Sequence, residues 1–214
     1  MKFGLTEAKV SVPRLQPWTI NEVKFTGVEY KSGTSASGNK WEAMQFNFGS
    51  NAGTYSKMFF CPNENGFERR ESTYGPNPSD AETLMESISY ICKTLAPEAY
   101  AKVAGKIVVD LPDEFQKLYN YVSKILNGAV GNLTKIKLVA DTRGYATIPP
   151  YPVSIGKSDD MCYTSNRWLG DNLSFTASEL KRKDAVKTEK PTNTDDLVID
   201  NNDSSDEDEF GLDL

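Results

Sequence analysis

The fold is decided by residues 20–60, which read INEVKFTGVEYKSGTSASGNKWEAMQFNFGSNAGTYSKMFF. Apolar and polar residues alternate in three runs of this stretch, residues 20–30, 41–48 and 54–60. Alternation with a period of two is typical of strands, because successive side chains point to opposite faces. Gly- and Ser-rich turns separate the runs. The pattern therefore predicts three consecutive strands that begin a small curled barrel.

The first run changes phase at a glycine. Val23 and Phe25 occupy one face of the predicted strand, Val28 and Tyr30 occupy the other, and Gly27 lies between the pairs. A glycine at such a point suits a β-bulge, which bends one long strand. We expect this strand to serve both sides of a barrel.

The second and third runs predict two different faces. One face is expected to be core and contains Met44, Phe46, Phe48, Met58 and Phe60. The other face mixes aromatics, amides and a lysine, and contains Trp41, Gln45, Asn47, Tyr55, Lys57 and Phe59. A flat anionic ligand would suit this mixed face. The alternative is a sheet buried on both sides, with Lys57 at its edge.

A helical block follows the three strands. Ser79 and Glu82 are spaced as a capping box, and apolar residues at helical spacing predict a helix as far as residue 96. A short helix to residue 104 and a third from near Pro112 to residue 127 complete the block. Their apolar stripes are interpreted as core, and no ligand is assigned to them.

Strands resume at Thr134, where lysines at 135 and 137 alternate with apolar residues. A turn at residues 141–144 leads into a last run at 145–148. Three strands, a helical insert and two strands resemble an OB-fold, a five-stranded barrel with a helix between strands three and four. The predicted class is mainly β with a helical insert (α+β).

Composition argues against an enzyme. The chain has no histidine, which removes the commonest general base and transition-metal ligand. No phosphate loop, dinucleotide fingerprint or nucleophile elbow is present. The three cysteines are widely spaced without a C-x-x-C pair, so neither a zinc site nor a disulfide framework is expected. We expect no cofactor, no metal, no membrane span and a cytoplasmic location, which is the host cytoplasm if a phage encodes the chain.

Charge is unevenly distributed along the chain. Nine of the 30 acids lie in residues 191–214, which contain no Lys or Arg, so the 24 bases of residues 1–190 face 21 acids. The predicted organisation is a nucleic-acid-binding domain at 1–176, a basic linker or short helix at 177–190, and a disordered acidic tail at 191–214. The alternative for the tail is a solubilising segment on an unrelated domain.

A barrel face of lysines and aromatics, followed by an acidic tail containing D-E-D-E-F, resembles the single-stranded DNA-binding proteins of bacteria and bacteriophages. The lead L-Q-P-W-T-I-N-E-V is also similar to the start of small phage proteins of this kind. The resemblance implies that aromatics of an OB barrel stack on bases and that the tail recruits replication, recombination and repair proteins. The matching tail residues are Asp206, Glu207, Asp208, Glu209 and Phe210, and we add Leu212 and Leu214 to the partner-binding set.

The leading hypothesis is therefore a non-enzymatic protein that coats single-stranded DNA. The candidate contacts are Trp41, Tyr55, Lys57, Phe59, Lys31, Lys40, Lys135, Lys137 and Arg143. The rival hypothesis is a virion or assembly protein with a solubilising tail. The sequence leaves open whether the chain forms a homo-oligomer.

Overall fold

The computed structural model describes residues 13–69, 78–149 and 167–188. Within these ranges the strands are β1 (Thr19–Thr34), β2 (Lys40–Ser50), β3 (Gly53–Phe60), β4 (Leu133–Ala140) and β5 (Ala146–Thr147). The helices are α1 (Asp80–Leu95), α2 (Pro97–Val103), α3 (Phe115–Leu126) and α4 (Ala177–Thr188). Short 3-10 turns occupy Glu64–Phe67 and Asn127–Ala129. None of these helices is long and apolar enough to cross a membrane.

The strands form one antiparallel sheet in the order β3-β2-β1-β4-β5. The sheet curls, so that its two outermost strands approach each other at one end. There the backbone N–H of Ile148, just after β5, donates to the hydroxyl of Tyr55 on β3 at 3.1 Å. The expectation of a curled, barrel-like α+β fold is confirmed at this level.

Strand β1 is the element that both halves of the sheet share. It pairs with β4 through its first half and with β2 through its second half. The register shifts between Phe25 and Gly27, and Gly27 has a φ of 137°, in the region that favours glycine. The bulge predicted at Gly27 is confirmed. It explains how a strand of 16 residues bends enough to line two sides of one core.

Helices α1 and α3 close the concave side of the sheet. Helix α1 begins at the predicted capping box, in which Glu82 N–H donates to Ser79 Oγ at 3.1 Å and Ser79 N–H donates to Glu82 at 2.8 Å. The apolar stripes of α1 and α3 join the inward residues of the sheet in one core. Their interpretation as core residues is therefore confirmed.

One local prediction differs from the structure. Helix α3 begins at Phe115 rather than near Pro112, because Glu114 bends the preceding segment by accepting from Asp110 N–H and donating its own N–H back to the Asp110 carbonyl. Trp168 is 2% exposed and packs against Phe48 and other core rings, whereas Arg167 is exposed.

Helix α4 lies within the segment that was expected to be a basic linker or short helix, and its first turn is anchored to the sheet. Thr176 and Glu179 form a second capping box, with hydrogen bonds of 2.7 and 3.2 Å. The same Glu179 carboxylate accepts from the ammonium of Lys137 on β4 at 2.9 Å. Burial of this pair fixes the start of α4 against β4.

Candidate nucleic-acid interface

The face of the sheet that points away from the helices carries the candidate site. On β1, β2 and β3, opposite residues in the register share this face, and we call it the outer face. Its members are Glu29, Lys31, Gly33, Trp41, Ala43, Gln45, Asn47, Ser56, Met58 and Phe60. Ala43 is fully buried, whereas most of the other residues are partly or fully exposed.

The predicted face of the third strand is wrong. Strand β2 pairs with β3 so that Phe46 lies opposite Lys57 and Phe48 lies opposite Tyr55, on the core side. Met58 and Phe60 therefore share the outer face with Trp41, in place of Tyr55, Lys57 and Phe59. The two-residue turn between β2 and β3 sets this register, and a change of one residue moves every side chain to the other face.

Trp41, Met58 and Phe60 form a compact apolar group on the outer face, which we call the aromatic patch. The rings of Trp41 and Phe60 lie edge to face, with centroids 5.8 Å apart. Phe60 is 54% exposed. The Trp41 indole lies directly over Gly33 of β1, where an added Cβ would be 2.7 Å from Cζ2. The absence of a side chain at Gly33 thus decides where the indole lies.

Two of the predicted lysines adjoin the aromatic patch. Lys40 is exposed immediately before Trp41, and Lys31 lies opposite Ala43 on the outer face. Lys31 forms an ion pair with Glu29. Both partners are substantially exposed, so the pair contributes little stability and can be exchanged for a phosphate at small cost.

Amide side chains complete the outer face beside the aromatic patch. Asn47 accepts hydrogen bonds from Gln45 and Ser56, each at 2.7 Å, and donates to Glu29 at 2.9 Å. This network orders polar groups across all three strands. It provides donors and acceptors that base edges or sugars can use.

Tyr55 does not belong to the interface. It is 9% exposed, and its hydroxyl links β3 to the residue after β5 at one end of the sheet by accepting from Ile148. Burial raises the pKa of the Tyr55 hydroxyl. Its predicted role in stacking on a base is therefore wrong, because the side chain is buried on the core side of the sheet, opposite Phe48.

Lys57 and Phe59 lie at the edge of the sheet, on its core side. Phe59 packs edge to face on Phe46, with centroids 5.6 Å apart. The Lys57 ammonium lies 5.7 Å from the centre of the Phe59 ring. Burial lowers the pKa of Lys57, and no carboxylate among the described residues lies within salt-bridge distance of it.

The predicted cations on β4 and in the turn after it differ in exposure. Lys137 is completely buried and bound to Glu179 and to the Ser174 carbonyl, so its prediction as a phosphate contact is wrong. Lys135 is exposed and lies opposite Glu22. Arg143 is exposed in the β4–β5 turn.

The β4–β5 turn also carries an aromatic that sequence reasoning did not select. Tyr145 is 63% exposed. Asp141 holds the turn by accepting from the N–H groups of Arg143 at 2.9 Å and Tyr145 at 2.8 Å. The side chains of Arg143 and Tyr145 therefore project from an ordered turn. Their adjacency to the glycine of a D-x-x-G turn was the signal that could have marked them as an exposed pair.

The remaining sequence predictions concern the acidic tail and the expected lack of a metal site. The partner-binding residues of the acidic tail lie outside the described residues. Within the described ranges, no three His, Cys, Asp or Glu side chains cluster as a metal site would require.

Comparisons with protein-family models, curated proteins and solved structures found no match to this chain.

Proposed function

We propose that this protein binds single-stranded DNA on the outer face of an OB-type barrel, as a non-enzymatic coating protein in replication, recombination or repair. The observation that carries the proposal is the exposed aromatic patch, with Lys31 and Lys40 at its border. Rings that can stack on bases, next to cations that can neutralise phosphates, are the combination used by binders of single strands.

The strand order supports this choice of surface. In OB-type barrels, oligonucleotides bind on the face of strands two and three and at the loops that join strands one to two and four to five. Here β2 and β3 carry Trp41 and Phe60, and the β4–β5 turn carries Arg143 and Tyr145. The sheet order β3-β2-β1-β4-β5 is compatible with a barrel that remains partly open between β3 and β5.

Double-stranded DNA suits the outer face less well. Bases in a duplex are stacked on each other, whereas those of a single strand are free to stack on protein rings. Trp41 and Phe60 lie on a sheet surface rather than on a helix that could enter a major groove. We therefore expect preference for single strands over a duplex of equal length.

The test is a titration of fluorescein-labelled oligo-dT, a matched duplex and oligo-U, followed by anisotropy. Trp41→Ala and Phe60→Ala should each weaken binding of oligo-dT by about 1 to 3 kcal/mol, or roughly fivefold to 150-fold. Phe67→Ala is the matched control, because Phe67 is 38% exposed in a 3-10 turn outside the outer face. It should bind like the unmodified protein.

Two results would refute the proposal. One is an absence of salt-sensitive binding to any of the three nucleic acids, which would favour the assembly-protein hypothesis. The other is binding that falls equally in the Phe67 and Phe60 variants, since the outer face would then have no special role. Circular dichroism of each variant establishes that the fold is retained.

The acidic tail is the proposed recruitment segment for replication and recombination proteins. This role is supported by the run of acids around Phe210 and by the nine acids, without any Lys or Arg, in residues 191–214. Removing residues 191–214 should abolish binding of such partners while DNA binding persists. Retained partner binding by the shortened chain would contradict this role.

A further inference from the structure

A groove of about 540 Å³ runs along the open seam between β3 and the β4–β5 hairpin. We call it the seam groove, and its walls include Lys57, Phe59, Phe60, Ile148, Pro149 and Arg182. Pockets of about 300 to 1,000 Å³ are typical of small-ligand sites. The walls combine aromatic and aliphatic surface with two cations from distant parts of the chain.

Neither cation of the seam groove has a carboxylate partner among the described residues. Lys57 is half-buried at the sheet edge, so its charge is screened less than that of a surface lysine. Arg182 comes from α4, whose first turn is held to the sheet by Glu179 and Lys137. The buried ion pair thus places a second positive charge at the groove.

Two carboxylates also line the groove, and the structure accounts for both. Asp141 accepts two backbone N–H groups within its own turn, so its carboxylate already has hydrogen-bond partners. Asp80 is in the first turn of α1, where the positive end of the helix dipole offsets a negative charge. Backbone donors and the helix dipole thus stabilise both carboxylates where they are, whereas no described carboxylate lies within salt-bridge distance of Lys57 or Arg182.

The seam groove is continuous with the aromatic patch. Phe60 lines the groove and also contacts Trp41 on the outer face. Phe60, at the end of β3, therefore borders both the aromatic patch and the groove. The groove offers apolar walls for one base and cations for the adjoining phosphate.

We propose that the seam groove receives one nucleotide of the bound single strand, with its base against Phe59 and Ile148 and its phosphate between Lys57 and Arg182. This inference rests on the proposed function and deepens it. It adds Arg182 and Ile148 to the nucleic-acid contacts, and it gives Lys57 a contact on the seam rather than on the outer face.

The test uses Lys57→Met/Arg182→Gln in the full chain. Its matched control is Lys102→Gln/Lys124→Gln, which removes the same charge from exposed positions on α2 and α3 that do not line the groove. Oligo-dT affinity is measured over a series of salt concentrations. Each lost phosphate contact lowers the slope of log affinity against log salt by about 0.7, so the groove variant should lose about 0.7 to 1.4 and the control should lose none.

Photo-crosslinking locates the base independently. An oligo-dT strand with one 5-iododeoxyuridine is irradiated with the unmodified protein, and the attached residue is identified by mass spectrometry. A crosslink at Phe59 reports the seam groove, because Phe59 is not on the outer face. A crosslink at Trp41 reports the aromatic patch.

The outcomes separate this inference from the proposed function. If Trp41→Ala weakens binding but the groove variant matches its control, the outer face stands and the groove assignment is overturned. A lower slope without a crosslink at Phe59 overturns the position of the base. If the groove variant binds oligo-dT more tightly, the groove holds an acidic segment of the chain instead. Failure of the unmodified protein to bind oligo-dT overturns both.

Discussion

Replacing Glu179 by glutamine should lower the free energy of unfolding of the protein. The exposed fractions of the Lys137 and Glu179 side chains are 0% and 8%. Glutamine keeps an oxygen that accepts from Thr176, so the cap of α4 survives, but it leaves the Lys137 ammonium without a counter-charge. Removing one partner of a buried pair costs about 3 to 5 kcal/mol. We expect about 3, because the Ser174 carbonyl still accepts from Lys137 at 2.9 Å.

Urea unfolding followed by circular dichroism measures this loss. The double variant Lys137→Met/Glu179→Gln should recover to within about 1 kcal/mol of the unmodified protein, since replacement of both charges leaves no buried ion. Glu98→Gln on the exposed first turn of α2 is the control and should change stability by less than about 0.5 kcal/mol. A loss below about 1 kcal/mol for Glu179→Gln would refute the burial of this pair.

Three further predictions follow from the sheet edge, the outer face and the tail. Lys57→Met should raise the melting temperature at pH 7, because burial disfavours the ammonium and lowers its pKa. The difference in melting temperature between the variant and the unmodified protein should shrink as the pH rises through that lowered pKa towards 10.5. Scanning calorimetry at two pH values checks this. Gly33→Ala should weaken oligo-dT binding by displacing the Trp41 indole, whereas Gly128→Ala, with open space around it, should not; anisotropy compares the two. Ending the chain after Lys190 should raise oligo-dT affinity most at low salt, because a tethered acidic tail competes with DNA; equal affinities at low salt would contradict this.

Local patterns were sufficient to predict the elements that hold the site. Alternation located the strands, and the spacing of Ser79 and Glu82 located the start of α1. The change of phase around Gly27 predicted the bulge that lets β1 serve both halves of the sheet. These features depend on residues close together in the chain, so one sequence contains the necessary information.

The site itself depended on the pairing register of the strands and on contacts that are distant in the chain. Lys57 and Phe59 had the right alternation, but the hairpin register, not the alternation, decides which face meets Trp41. Tyr55 is buried because its hydroxyl meets Ile148, 93 residues later. Lys137 is neutralised by a glutamate 42 residues away. No local pattern distinguishes such residues from exposed aromatics and lysines.

The most direct test of the outer face as a DNA-binding surface is tryptophan fluorescence during an oligo-dT titration. Trp168 is buried in the core, and Trp18 lies beside Phe175, so Trp41 is the described tryptophan that belongs to the outer face. Stacking on a base quenches an indole. We predict saturable quenching in the unmodified protein and its loss in Trp41→Phe, which retains a ring and therefore most of the affinity. Equal quenching in the two proteins would contradict the assignment of the outer face.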